Sequence, residues 1–413
     1  MGFMSDYLTW NEGNECPKNY HIWTAFTLVA SAVSRRIYLP RGQFILTPNI
    51  YVCLVGKMGD RKTTAKDIGY GLLRESCPRI PVSAESMSKE AITQFMSADE
   101  QMRVYVNEKG IKTEYRPFSI FCTELKNFLS INPTTLVDFL ITIYDRQFYD
   151  VITKNKGTDV IVNPCVNFLA CETPDWLMAR LRDSVISGGF TRRVIFVYET
   201  KPQERIFDPF VTPEGHEAKV RLVEHLRRLD KLAGVVTWSK DGHAFCEEWY
   251  ENLKVPEDPV MQGYYRSKCD QLLKTSILVM ACDYENYSKL ILEREHCINA
   301  LSLLDNVEKN MPKLLAGVGR NELAHPAVRI MDILESKSGE MFEADLHSAI
   351  FNALPRDMDF GPLMEHLIRS GKVVRADKMC NGVKRRVILT RQLYDVIEQM
   401  KQNKEKKHDP TKE

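Results

Sequence analysis

Apolar positions along the chain follow two rhythms. From 17 to 37 (PKNYHIWTAFTLVASAVSRRI) they recur every three or four residues, which predicts a helix. The next run, NIYVCLVG at 49–56, is almost continuously apolar and reads as a buried strand. A glycine-containing loop follows, and TTAKDIGYGLLRES beyond it predicts a helix. ESMSKEAITQFMSAD (85–99) predicts another, capped by Ser86 or Ser88. MRVYVNEKGIKTEYRPFSIFCTEL reads as a hairpin turning at Lys109-Gly110, then a buried strand ending at Glu124. FYDVITKNKGTDVIVNP predicts a second hairpin with its tip at Lys154 to Gly157. CVNFLACETPDWLMARL reads as strand, cap and helix, with Thr173 as N-cap and Pro174 in the first turn. In SGGFTRRVIFVYE a double glycine leads into one more strand. Strands and helices alternating to about residue 200 predict an α/β sheet.

From 213 to 318 the pattern is helical, and AGVGRNELAHP (316–326) reads as a linker. Three short helices, at about 326–337, 341–353 and 358–370, precede two strands around Asn381-Gly382. Three helices and a hairpin are the layout of a winged helix. The expected divisions are a helical segment 1–48, an α/β core 49–212, a helical lid-like domain 213–318, a winged helix 319–400 and a charged, disordered tail 401–413.

Composition adds limits. At 413 residues, 44% apolar and 27% charged, the chain is too long for one ordinary core. A net charge of +1 gives no global attraction to nucleic acid, so any such contact needs a local patch. No membrane span is expected, and MGFMSDYLTWNEGNE lacks the basic-then-apolar layout of a secretory signal. The eleven cysteines are odd in number and include no C-x-x-C. Cys53, Cys122, Cys165 and Cys282 sit in apolar segments. They are expected to be buried reduced thiols of a cytoplasmic protein rather than parts of a zinc ribbon.

The loop VGKMGDRKTT (55–64) carries the candidate chemistry. Gly56, Lys62 and Thr63 hold their places in G-x-x-x-x-G-K-[ST], while Arg61 stands where the second glycine belongs. In such a loop, backbone N–H groups and a helix N-terminus surround a phosphate. Gly56 and Gly59 permit the tight turn, and Asp60, Arg61 and Thr64 complete it. Lys62 would reach the β- and γ-phosphates of ATP, and the Thr63 hydroxyl would bind Mg2+. These letters match by chance often, so their setting between strand and helix carries the reading. Hydrolysis also needs a carboxylate to activate water. Glu124, ending the IFCTEL strand, is the candidate; its plainer reading is a surface carboxylate. Thr123 before it occupies the place of an aspartate that usually supports magnesium.

Pro17 with its apolar helix, NIYVCLVGKMGDRKTT, IFCTEL, NPCVNFLACETPDWL and GGFTRRVIFVYE, in that order, resemble the helicase-like P-loop ATPases of phages, prophages and mobile elements, often fused to primases. The resemblance covers roughly residues 15–315 and implies a P-loop NTPase core, AAA+ or RecA-like. It also accounts for Arg61, because that family writes its loop G-x-x-G-x-R-K-[ST]. The activity it implies is that of an ATP- and Mg2+-dependent DNA helicase or translocase, a homo-oligomeric, hexameric ring on single-stranded or forked DNA. Such a motor would work in the bacterial cytoplasm beside a primase or replication initiator.

By the same resemblance, Glu172 and Thr173 match a γ-phosphate sensor, although Thr173 also explains itself as a helix cap. Arg192 and Arg193 match arginines that reach a neighbour's nucleotide. Arg266 and Lys268 are candidates for a lid-side sensor. Lys154 and Lys156 match hairpin lysines of a central DNA channel, and a solvated turn explains them equally well. A reading from another class is an ATP-switched replication initiator or adaptor with little unwinding.

Charge sharpens the picture at the C-terminal end. From Arg369 to Lys407 there are twelve Lys or Arg against four Asp or Glu, a local phosphate-attracting field. Lys384, Arg385 and Arg386 lie on the wing strand and are the candidate DNA contacts. Asp357, Asp359 and Glu365 acidify the third helix, which argues against sequence-specific reading. Many winged helices bind proteins instead.

Overall fold

The computed structural model describes residues 2–107, 109–153, 157–181, 189–199, 205–257, 259–311, 314, 324–351, 360–380 and 383–407. It is a mixed α/β structure of two units that divide at residues 318 and 319.

The chain opens with α1 (Phe3–Trp10), an element the apolar pattern does not announce. Helix α2 (Lys18–Val33) follows, and every residue from Tyr20 to Val33 is buried. Its polar members His21, Thr24, Thr27 and Ser31 are enclosed with the apolar ones, and α2 lies against the central sheet. It ends where Ser34 takes a left-handed conformation, φ 50°. The short hairpin β1 (Ile37–Arg41) and β2 (Phe44–Leu46) leads to β3 (Tyr51–Val55), buried throughout. Then come α3 (Lys62–Ser76), α4 (Lys89–Ser97), β4 (Arg103–Val106) and β5 (Lys112–Cys122). The hydroxyl of Ser88 caps α4 by accepting the Ala91 N–H at 3.2 Å. Two helices, α5 (Leu125–Phe128) and α6 (Pro133–Ile143), precede the ribbon β6 (Phe148–Thr153) and β7 (Gly157–Val162). The tip of that ribbon, with Lys154 and Lys156, lies outside the described residues. Strand β8 (Pro164–Glu172), α7 (Pro174–Leu181) and β9 (Val194–Tyr198) complete the alternating part.

The central sheet runs β4-β5-β8-β3-β9. Strands β5, β8, β3 and β9 are parallel, and β4 is an antiparallel edge. Beside β5, a single parallel bridge between Val82 and Ser119 draws in the segment after α3. Strand β3 sits between β8 and β9, with both faces covered, which explains its unbroken apolar sequence. Val52 and Leu54 join the core containing α2 and α3; Tyr51, Cys53 and Val55 join the one containing α4 and α6.

The later helices pack into the same unit. Helix α8 (Pro213–Leu229) lies on α1, α2 and α3, and Arg221 holds the buried Asp6 carboxylate through two 2.8 Å bonds. The pairs β10 (Gly234–Val235) with β1, and β11 (Thr237–Trp238) with β12 (Ile291–Leu292), bind the connections in place. Helix α9 (Lys240–Glu251) packs on α11 (Arg294–Glu308), which also lies along α10 (Pro259–Ala281). The buried Lys274 of α10 donates to Asn49 Oδ1 at 2.7 Å and Asp145 at 3.0 Å.

The smaller unit has its own core, containing Ile330, Leu346, Leu363 and Ile388. It consists of α12 (Ala324–Ser336), β13 (Glu340–Phe342), α13 (Glu343–Ile350), α14 (Phe360–Arg369), β14 (Val373–Cys380), β15 (Val383–Thr390) and α15 (Arg391–Lys407). Its antiparallel sheet is ordered β13-β15-β14. Beyond the expected three helices and two strands it thus gains strand β13 and a fourth helix, α15. The helix α15 continues past Lys401, where the charged composition suggested disorder, to Lys407. Among the described residues, no helix is long and apolar enough to cross a membrane. All eleven cysteines are free, and Cys53, Cys122, Cys165 and Cys282 are buried as expected.

Candidate functional site

The parallel strands end together, and their carboxyl edge gathers Gly56 after β3, Thr123 and Glu124 after β5, Glu172 at the end of β8 and Glu199 after β9. Ligands of open α/β sheets bind outside this edge, where neighbouring connections diverge. Here the chain leaves β3 for β5, skipping β8, and later leaves β8 for β9, skipping β3.

The loop grows directly out of β3. Gly56 N–H donates to the Glu172 main-chain oxygen at 3.3 Å, and the Tyr20 hydroxyl holds the Val55 oxygen at 2.6 Å. A Cβ at Gly56 would collide with that hydroxyl and lie 2.7 Å from Asp60 Oδ2, so any other residue there would displace both side chains. Gly59 sits at φ 90° with open space around it, a conformation that favours glycine. The buried Lys62 ammonium turns back into the loop, donating to the oxygens of Gly56 at 2.6 Å and Lys57 at 2.7 Å. Burial lowers the Lys62 pKa, against the pull of Asp60 and Glu172. The Asp60 carboxylate accepts the Lys57 N–H at 2.6 Å. Thr63 is half-buried in the first turn of α3 and Thr64 is exposed.

Arg61 explains its own oddity. Its backbone is left-handed, φ 57° and ψ 20°, the conformation for which a glycine is the usual choice. Its guanidinium turns outward to Glu15, with Nε and a terminal nitrogen at 2.8 and 2.6 Å from Oε2. The Arg61 main-chain oxygen accepts from Cys16 Sγ at 3.5 Å. Arginine here secures the loop to the segment before α2 from outside. Two outcomes are therefore expected for Arg61→Gly. It relieves about 1 kcal/mol of backbone strain, and any affinity of the loop for a phosphate ligand changes no more than about threefold, under 1 kcal/mol. Thermal unfolding and titration of a fluorescent nucleotide measure the two.

Four acidic residues at the edge have distinct environments. Glu172 is 2% exposed and accepts from Lys126 N at 2.8 Å, Thr173 N at 2.8 Å and the Thr173 hydroxyl at 3.2 Å. It thereby ties the first turn of α5 to β8. Thr173 spends its hydroxyl on Glu172, while its main-chain oxygen accepts the Leu177 N–H of α7 at 3.2 Å. Glu124 is half-buried and takes Asn127 Nδ2 at 2.9 Å and Lys126 Nζ at 3.2 Å on Oε2. Glu199 takes Asn19 Nδ2 at 2.5 Å. Glu85, from the loop after the Val82 bridge, accepts both the N–H and the hydroxyl of Thr123 at 2.8 Å. The buried Lys66 of α3 donates to Thr123 Oγ1 at 3.2 Å and lies 3.5 Å from Glu85 and 2.8 Å from Asp67. Burial alone would raise the Glu85 pKa; the Thr123 donors and Lys66 hold it below the ordinary value.

Lys66 and Glu85 escape a motif search. Lys66 has a faint signal, a cation four residues after Lys62 on a helix face that is otherwise buried. Glu85 has none.

The remaining candidates lie elsewhere. Arg192 and Arg193 precede β9 at the amino end of the sheet, the length of a five-residue strand from the loop's edge, ~16 Å. Arg193 donates to the Gly189 oxygen at 2.9 Å and lies over the Tyr144 ring, while Gln271 of α10 holds both arginines' main-chain oxygens. Lys268 is buried against Asp305 and Glu308 at 2.9 and 2.7 Å, whereas Arg266 is exposed. In the small unit, Lys384, Arg385 and Arg386 are exposed along β15; Lys384 pairs with Asp377 at 2.8 Å and Arg385 lies over Phe342. Among the described residues, no group of three or more His, Cys, Asp or Glu is placed to hold a metal ion unaided. No protein-family model matches the sequence, and a search of the curated proteins finds no match.

Proposed function

We propose that the larger unit is a P-loop ATPase and that the chain works as a ring-type DNA helicase or translocase. One observation carries the reading: a buried ammonium, Lys62, is held inside a glycine-dependent loop between a core parallel strand and a helix N-terminus. That arrangement suits a triphosphate, which would replace the two loop carbonyls around Lys62 and draw on the loop N–H groups.

The residues present fit ATP and Mg2+. A side chain at Gly56 would press on Tyr20 and Asp60, and Gly59 takes the positive φ that a tight phosphate-binding turn would use. Magnesium is held largely by water and substrate phosphates, with one or two protein ligands, so a dedicated acidic cage is not required. Residues 56–64 would surround the phosphates, Thr63 would hold the metal, and the ion would offset phosphate charge. Glu124 lies after β5, two strands from β3, about 9.5 Å away at the usual spacing. That leaves room for a terminal phosphate and a water, which Glu124 would orient. Arg192 and Arg193 are too far to serve their own loop, which suits a role at a neighbouring copy's nucleotide in a homo-oligomeric ring. The smaller unit, read as a winged helix, would supply DNA contacts along β15.

Nucleotide hydrolysis with and without single-stranded DNA, and strand separation on a forked duplex, test this. Unwinding with ATP but not with a non-hydrolysable analogue is expected. The bonds of Glu124 to Asn127 and Lys126 favour a second reading, an ATP-switched adaptor with slow turnover; assembly on DNA with the analogue and no unwinding would select it. Separately, Arg386→Ala is expected to weaken DNA binding equally for all sequences and to lower the salt slope of log K by about one, read by fluorescence anisotropy across salt concentrations.

A further inference from the structure

Position 123 is where a metal-supporting aspartate was expected, and threonine stands there. The structure does not leave the position without a carboxylate. The Val82–Ser119 bridge, with Ser83 N–H bonded to the Ser119 oxygen at 2.9 Å, runs the segment after α3 alongside β5. The segment therefore reaches the carboxyl edge two residues later. There Glu85 places one oxygen on the Thr123 N–H and the other on its hydroxyl, both at 2.8 Å. A carboxylate gripped at both oxygens has little rotational freedom left.

Its surroundings point the same way. Lys66 follows Thr63 by three positions, so the two side chains leave one face of α3 with Cβ atoms about 5–6 Å apart. Glu85 meets Lys66 and so lies on the face of α3 that carries the loop's hydroxyl ligand. Lys66 sits closer to Asp67 (2.8 Å) than to Glu85 (3.5 Å), so Asp67 takes the larger share of its charge. The Glu85 side chain is 61% exposed and open to an incoming ion. The competing carboxylates are engaged elsewhere: Glu172 accepts three bonds in a buried position, and Glu124 is turned along α5 to Asn127 and Lys126.

We propose that Glu85 supplies the magnesium-side carboxylate that position 123 lacks, delivered from another segment and aimed by Thr123. This rests on the ATPase reading above. Glu85 acts as a positioning residue, holding the ion's water shell beside Thr63 while Glu124 keeps the water-activating role.

The test uses the full chain and a fluorescent non-hydrolysable ATP analogue, titrated in EDTA and again with Mg2+. Mn2+ uptake in the presence of ADP, followed by the free-ion electron paramagnetic resonance signal, gives a second readout. Wild type is expected to bind the analogue more tightly with metal. Glu85→Gln is expected to keep the EDTA affinity and lose about 10- to 100-fold in metal affinity, the usual effect of removing such a partner. Adding Thr123→Asp to Glu85→Gln is expected to restore most of the loss, because the carboxylate returns through position 123. Metal affinity unchanged in Glu85→Gln would overturn the proposal, as would a loss that Thr123→Asp does not repair. Wild type failing to bind the analogue in either buffer would instead remove the ATPase reading, and this proposal with it.

Discussion

Lys62→Ala is expected to lower ATP turnover by at least about 10²–10³-fold, the loss typical of a donor aimed at developing charge, while the fold persists. Of the loop's cations, Lys57 is exposed and Arg61 is turned outward to Glu15, which leaves the Lys62 ammonium inside the loop to follow charge onto a departing phosphate. Its removal leaves the Gly56 and Lys57 oxygens without their donor at 2.6 and 2.7 Å; Lys57 is exposed, and the space vacated by the side chain lets water reach the Gly56 oxygen as well. Its burial also costs desolvation, so stability is expected to change by less than about 1 kcal/mol. Steady-state hydrolysis and a thermal melt separate the two effects; turnover equal to wild type would remove Lys62 from the site.

The same lysine sets an alkaline limit. Burial depresses its pKa below the ordinary 10.5. Between the depressed value and 10.5 the unfolded chain binds the extra proton, so folding stability rises with pH through that window. On the proposed ATPase reading, nucleotide capture uses the ammonium and is expected to fall over the same range. The kcat/KM profile, which reports the free enzyme, is expected to decline at lower pH than a solvent-exposed lysine would give.

Glu172→Ala is expected to have the largest effect on stability. Its carboxylate is buried and serves two backbone N–H groups and a hydroxyl, on Lys126 and Thr173. Each buried donor left unpaired costs about 1–3 kcal/mol, so a total near 3 kcal/mol is expected, and roughly half for Glu172→Gln, which keeps one acceptor oxygen. All five tryptophans, Trp10, Trp23, Trp176, Trp238 and Trp249, belong to the larger unit. Denaturant unfolding followed by tryptophan fluorescence therefore reads that unit alone. Turnover is expected to fall too, since Glu172 fixes the turn that carries Glu124. A change below about 0.5 kcal/mol would mean that water serves these donors.

Local signals made the strand, loop and helix around residue 60 legible: an unbroken apolar run, two glycines and a return to helical spacing. The same holds for Ser88 as a cap and for the hairpin at Gly110, which takes φ 76° as a tight turn needs. Arg61 was legible as an oddity, but its left-handed backbone and its bond to Glu15 needed coordinates. Helix α1 was hidden because its order depends on partners far along the chain, Asp6 with Arg221 and Phe3 N–H with the Cys282 oxygen. Glu85 was hidden for the same reason. Its segment reads as the start of the helix expected over 85–99, whereas α4 begins only at Lys89, and a bridge between Val82 and Ser119, 37 positions apart, brings Glu85 to Thr123.

The enclosed position of α2 bears on how this protein is cut for experiment. A fragment starting at Asn49 keeps every residue of the loop yet removes α2 from the core that it shares with Val52, Leu54, Ile195 and Val197 on one face of the sheet. Such a fragment should precipitate on expression and read as inactive for reasons unrelated to chemistry. The shortest piece worth purifying runs from the first residue through about 318.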